Sequence, residues 1–161
     1  MDVYLDIETT GMSANYHKLT VVGIFVDDGS SGDFVHQPTG EDITTDQLMD
    51  TLRGVETLYT YNGRRFDLPF IRQSLGINLA DSFTHRDLMY DCWTNKLYGG
   101  LKVVERRLGI KRNLPDMNGY HAVQLWHQYR ADEDESALEV LLEYNREDVL
   151  NLKTLRDLLN V

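Results

Sequence analysis

Apolar residues fall in short runs along the first third of the chain and recur at three- and four-residue intervals later, the patterns of strands and of helices. Residues 3–8 (V-Y-L-D-I-E) are predicted as a first strand, and the β-branched, apolar residues 19–27 as a second. The turn Asp27-Asp28-Gly29-Ser30-Ser31-Gly32 then leads to a short third strand near residues 33–37. Strands so close in sequence form an antiparallel meander. A helix is predicted over 45–53, with Thr44 or Thr45 as N-cap and Gly54 closing it. Residues 56–61 make a fourth strand. Residues 64–75 make a helix ending at Gly76, with Pro69 in its first turns, where a missing N–H is tolerated. A short fifth strand over 81–85 precedes helices at 86–94, 101–108 (closed by Gly109) and 120–130. The charged stretch 132–135 reads as a linker, and Ser136-Ala137-Leu138-Glu139 as a capping box opening a last helix or helix pair that reaches about Leu159. A meander, then β-α-β, then helices predicts an α/β fold with a mixed sheet flanked by helices.

The length, 161 residues, fits one domain with a core of its own. The sole cysteine, Cys92, excludes an internal disulfide and fits a reducing, cytoplasmic setting. No segment approaches the roughly 20 apolar residues of a membrane span. Sixteen basic against 26 acidic residues give a net charge of −10, which argues against binding driven by generic phosphate contacts. It leaves room for a nucleic-acid enzyme whose bound metals carry the local positive charge.

The candidate chemistry is acidic. Asp6 and Glu8 are two apart on a strand, so both carboxylates project from one face and repel unless a cation sits between them. Hard divalent ions such as Mg²⁺ take such oxygen ligands. Asp67 follows a strand on the first turn of the next helix, where complementing the helix dipole is an equally simple use for an acid. In Y-N-R-E-D, Tyr144 and Asp148 are i and i+4 on one helix face, which Leu141, Leu152 and Leu155 continue. An acid on that apolar stripe needs a partner or a metal. Glu147 is expected to face solvent. Four carboxylates around two Mg²⁺ or Mn²⁺ ions suit a two-metal phosphodiesterase, and a nearby tyrosine can orient its attacking water.

D-I-E-T-T-G, Y-N-G-x-x-F-D and Y-N-R-E-D, in this order, resemble the three exonuclease motifs of the RNase H-like DEDD superfamily. The Tyr144-x-x-x-Asp148 spacing is similar to its tyrosine (DEDDy) branch; the histidine branch would have His where this chain has Glu143. Within that branch the chain resembles the small YprB-type exonuclease domains from about residue 2 to residue 157. The resemblance implies a five-stranded mixed sheet of order 3-2-1-4-5, with strand 2 antiparallel to the rest. It implies that Asp6 bridges two metals, that Glu8 and Asp148 hold the nucleophile-side ion, and that Asp67 acts on the second ion. It implies that Tyr144 positions the attacking water, and that Thr9, Thr10 and Gly11 contact the 3′-terminal nucleotide, with Asn62 a further candidate there.

Arg64 and Arg65, beside the Asp67 motif, are phosphate candidates. The cluster Lys102, Arg106, Arg107, Lys111 and Arg112 fits either a backbone-steering patch or a solvated helix face. Trp93, Trp126, Tyr120 and Tyr129 read as core rather than as base-stacking platforms, and the five histidines share no metal-ligand spacing. The expected activity is metal-dependent 3′–5′ exonuclease cleavage of single-stranded DNA or RNA with a free 3′ end, with a protein partner supplying selectivity. A catalytically idle binding module and a structure-specific endonuclease are the alternatives.

Overall fold

The computed structural model describes residues 1–30 and 34–161. A five-stranded sheet of order β3-β2-β1-β4-β5 is formed by β1 (Asp2–Thr9), β2 (Leu19–Asp27), β3 (Phe34–His36), β4 (Thr57–Thr60) and β5 (Thr84–Asp87). β2 runs antiparallel to both its neighbours, while β1, β4 and β5 are mutually parallel. This is the predicted mixed sheet. Part of the predicted turn (Ser31, Gly32) and the start of the predicted third strand (Asp33) lie outside the described residues.

β1 is central and buried on both faces. Val3, Leu5 and Ile7 join one core with Leu48 of α1 (Thr45–Thr51) and with Leu68, Phe70 and Ile71 of α2 (Asp67–Leu75). Tyr4 points the other way, to Leu88 and Cys92 of α3 (Leu88–Thr94), Val104 of α4 (Leu101–Leu108), and Val149, Leu152 and Leu155 of α6 (Glu135–Leu159). Its ring stacks between Phe25 and Tyr59, at centroid distances of 5.8 and 5.2 Å. Arg156 of α6 donates to the Tyr4 hydroxyl at 2.9 Å and lies over the Tyr59 ring. This aromatic row fixes the C-terminal half of α6 on the sheet. It thereby sets where the preceding turns of α6 meet the ends of β1 and β2. There α5 (Gly119–Asp132) packs Ala122 and Trp126 against Val21, Leu141 and Tyr144.

Several boundaries differ from expectation, each for a local reason. α2 starts at Asp67, not at residue 64, because Asn62 takes a left-handed conformation (φ 61°) and residues 62–66 form a turn. β5 covers Thr84–Asp87 instead of 81–85, since Leu79–Asp81 is a 3₁₀ turn capped by Asn78. Asp87 then caps α3, so that helix begins at Leu88. α1 ends at Thr51, before the predicted residue 53. α5 runs on to Asp132, which reduces the predicted linker, and α6 is one helix. Its cap is Asp134, whose side chain accepts from the Ser136 and Ala137 N–H groups, in place of a Ser136–Glu139 capping box. Trp126 is buried as read, whereas Tyr120 is 68% exposed. Among the described residues, no helix is long and apolar enough to cross a membrane.

Candidate metal centre and active site

Asp6 and Glu8 leave β1 on the side facing α6, and Asp148 reaches them from that helix. One carboxylate oxygen from each lies within 4.8 Å of the other two. Three acids this close, with Glu8 and Asp148 both buried, repel one another. Burial first, and then the neighbouring carboxylates, push Asp6 and Glu8 well above the usual carboxylate range. Burial also raises Asp148, and Arg112 opposes that rise. An all-oxygen donor set under mutual repulsion fits a hard divalent cation.

Asp67 stands apart from these three. β4 pairs with β1 only as far as Tyr4–Tyr59, so the Ile7 N–H beyond that point needs another acceptor. Asp67 Oδ1 provides it at 3.1 Å. Burial raises Asp67 to about 7, and hydrogen bonds such as that from Ile7 N–H work against the rise. The structure thus brings Asp6, Glu8 and Asp148 into one cluster and holds Asp67 beside it on the main chain of the same strand.

Tyr144 lies one turn before Asp148, and its hydroxyl accepts from Lys102 Nζ at 2.6 Å. Burial, followed by the charges of Asp148, Glu8 and Asp6, raises the phenol, so Tyr144 stays protonated at neutral pH. Lys102, Arg112, Tyr61 and Tyr144 line a cleft of 250 Å³ that opens on Asp6 and Asp148.

The Thr-Thr-Gly stretch leaves the end of β1 in a turn beside the acids. The β1–β2 register shifts between Glu8 and Thr9, a bulge after which Thr9 pairs with Leu19. Thr9 Oγ1 donates to Gly11 O at 2.7 Å, and Thr10 Oγ1 accepts from Lys18 N–H at 3.0 Å. A Cβ on Gly11 would come within 2.5 Å of the half-buried His17 ring, which would have to swing aside to admit it. Asn62 N–H donates to Asp87. Arg64 and Arg65 are exposed, with their guanidinium groups over the Tyr90 ring at 5.9 and 6.0 Å. Arg64 also borders an open cleft of 1280 Å³ along β5, with Arg72, His85 and Arg86.

The basic cluster does not form a single solvated face. Arg106, Arg107 and Lys111 are exposed. Arg112, its side chain only 5% exposed, pairs with both Glu105 oxygens and with Asp148. Lys102 turns in to Tyr144 and to the Met117 carbonyl. Glu147, expected in solvent, is buried: its carboxylate accepts from the Asn113 and Leu114 N–H groups at 2.8 and 3.4 Å. The segment between α4 and α5 covers that side of α6, a tertiary fact that helical periodicity does not carry. The residues that sequence reasoning missed here are Lys102 and Arg112 as neighbours of the acids, and Asn145. The one signal that could have found Arg112 was its place after Gly109, off the α4 face.

Comparison with known proteins agrees with this fold. The chain is 28% identical over 166 residues to the uncharacterized protein YprB of Bacillus subtilis (strain 168), covering 94% of this chain and 40% of that protein. It therefore spans about two fifths of that relative. Among solved structures, Brucella melitensis NrnC bound to pGG superposes with a TM-score of 0.67 at 23% identity, over 98% of this chain and 71% of that one. NrnC with bound Mg²⁺ gives 0.62 at 22% identity, over 99% and 71%. The family B DNA polymerase of Pyrobaculum calidifontis gives 0.75 at 16% identity, over 98% of this chain and 24% of the polymerase. The profile of the RNase_H superfamily matches residues 3–160, and the chain belongs to that superfamily.

Proposed function

We propose that this chain is a metal-dependent 3′–5′ exonuclease of the tyrosine (DEDDy) type, hydrolysing single-stranded nucleic acid from a free 3′ end to nucleoside monophosphates. The observation that carries the reading is the convergence of Asp6, Glu8 and Asp148, with ligand oxygens within 4.8 Å, beside the Tyr144 hydroxyl. The bound Mg²⁺ and the bound pGG of the NrnC structures support divalent metal and nucleotide as ligands for this fold.

Asp6, Glu8 and Asp148 would hold the divalent cations, Mg²⁺ or Mn²⁺, with Asp67 assisting from beside β1. Such a pair of ions activates a water and stabilises charge on the attacked phosphate and the leaving oxygen. The protein groups around them orient and exclude. Lys102 donates to the Tyr144 oxygen, which leaves the phenolic proton to be donated to a water facing the acids. With its phenolic proton in place, Tyr144 would act on that water as an orienting donor. The Thr9–Gly11 turn would receive the terminal nucleotide, with Asn62 a further contact to it. Arg64 and Arg65, held over Tyr90, would meet the phosphates that follow.

The test is a gel of 5′-labelled single-stranded DNA and RNA with Mn²⁺, Mg²⁺ or chelator, beside Asp6→Asn. A metal-dependent ladder shortening from the 3′ end, absent in Asp6→Asn, is expected. Cleavage of a circular single strand would convert the assignment to an endonuclease. Uncut strands in every lane would favour an idle binding module.

A further inference from the structure

Asn145 follows Tyr144 on α6 and is a fully buried polar side chain. Its Nδ2 lies 3.3 Å from the Asp6 main-chain oxygen and 3.3 Å from Oδ2 of the same residue. Its Oδ1 accepts from Gln37 Nε2 at 3.0 Å, and that nitrogen also donates to the Leu142 carbonyl at 2.8 Å. The orientation of the amide is therefore dictated from both ends. Its oxygen faces a donor, and its nitrogen faces two acceptors.

Space for this side chain comes from the sheet. Gly23 pairs with Asp6 across the β1–β2 ladder, so the two project on the same face. A Cβ at position 23 would stand 2.1 Å from Asn145 Oδ1. Gly23 has an ordinary strand conformation and needs no special φ, so what it supplies here is room. Gln37 and Gly23 thus set the amide of Asn145, and Asn145 reaches the Asp6 carboxylate. Asp6 shares one cluster with Glu8 and Asp148, their oxygens within 4.8 Å of one another, and without a fixed partner repulsion would turn its carboxylate away.

We infer that Asn145, oriented by Gln37 and admitted by Gly23, is a positioning residue that fixes the Asp6 carboxylate for a divalent cation. The inference rests on the reading of Asp6, Glu8 and Asp148 as a cation site. Hydrogen-bond partners of metal-ligating groups set ligand orientation, and their loss costs about 10–100-fold in metal affinity.

The test is Mn²⁺ titration by calorimetry, with melting curves in chelator, on wild type, Asn145→Ala, Gln37→Ala, Gly23→Ala and the double variant Gly23→Ala/Asn145→Ala. Asn145→Ala is expected to bind Mn²⁺ about 10–100-fold more weakly. Gln37→Ala, a half-buried change remote from the acids, should weaken binding in the same direction but less, because the amide remains and only its orientation is freed. Gly23→Ala should melt low from the clash with Asn145. The double variant should recover that melting temperature, since the new methyl occupies space vacated by the amide, while keeping the weakened Mn²⁺ affinity. A purely structural Asn145 would give wild-type affinity in the double variant and in Gln37→Ala, and would overturn the inference while leaving the cation site standing. Absence of Mn²⁺ binding by the wild type would overturn the cation site itself.

Discussion

Lys102 Nζ lies 2.6 Å from the Tyr144 hydroxyl and 4.4 Å from the centroid of the same ring. A residue 42 positions upstream, on a different helix, thus decides which way the phenol presents its proton. Burial lowers the Lys102 pKa, and the charge of Asp148 opposes that shift. If Lys102 acts through Tyr144, the two are one functional unit and their losses will not add. Tyr144→Phe is expected to slow cleavage by about 10²-fold, less than the complete loss in Asp6→Asn. Lys102→Met should fall in the same range, and Lys102→Met/Tyr144→Phe should be no slower than Tyr144→Phe. Single-turnover rates on a labelled oligonucleotide measure this; strictly multiplicative losses would separate the two residues.

Arg112 is the resident counter-charge of three buried acids. It pairs with Glu105 at 2.6 Å and with Asp148, while its unbonded Nη1 lies 4.0 Å from Glu147. Removing it strands those carboxylates, and breaking a buried pair from one side costs about 3–5 kcal/mol. Arg112→Met is therefore expected to unfold far more easily in urea than wild type. Exposed Arg106→Ala and Arg107→Ala should stay within about 0.5 kcal/mol of it. Saturating Mn²⁺ should recover part of the Arg112→Met loss, because a cation bound at Asp148 replaces the missing charge. An Arg112→Met protein as stable as the Arg106→Ala protein would contradict this account.

How much of this was legible depended on whether the signal was local. The two-residue spacing of Asp6 and Glu8 and the four-residue spacing of Tyr144 and Asp148 determine faces by backbone geometry alone, and the structure keeps those faces. The strand 19–27 was bounded by its own composition and is observed with the same ends. The Ser136–Glu139 pattern reads locally as a capping box, but Asp134, two residues earlier, accepts from the Ser136 and Ala137 N–H groups and takes the cap instead. Lys102, Arg112, Asn145 and Glu147 were opaque for another reason. Each owes its role to a partner far away in sequence, as Asn145 does to Asp6, 139 residues distant. A charge cluster in the sequence says nothing about which members fold inward.

The acids predict how stability depends on pH. Burial and repulsion raise Asp6, Glu8, Asp67 and Asp148 in the folded protein, Asp67 to about 7. The unfolded chain releases the Asp67 proton near the ordinary value of 3.8. Between those values the folded state holds the extra proton, so stability falls as pH rises through the window. Metal-free protein is expected to melt higher at pH 5 than at pH 8, and excess Mn²⁺ should restore the loss at pH 8. Asp67→Asn keeps an oxygen for the Ile7 N–H and should flatten the slope. Scanning calorimetry in chelator from pH 5 to 8 provides the check, and a profile rising with pH would contradict the raised carboxylates.

The turn before α2 tests whether Asn62 serves the fold or the substrate. One buried carboxylate, Asp87, accepts from the Asn62, Arg64 and Met89 N–H groups at 2.8, 3.1 and 3.1 Å. It thereby caps α3 and shapes the turn that delivers Asp67 to β1. Asp87→Ala is expected to lose about 2–4 kcal/mol, a helix cap plus further unsatisfied donors. Asn62 itself sits at φ 61°, where glycine is at ease and alanine loses about 1 kcal/mol. Asn62→Gly should therefore melt close to wild type, whereas Asn62→Ala should melt lower. If the Asn62 amide also contacts the terminal nucleotide, Asn62→Gly will raise KM for short oligonucleotides with its melting temperature unchanged. An unaltered KM in Asn62→Gly would assign this residue to the turn alone, and with it the whole of its place in the motif.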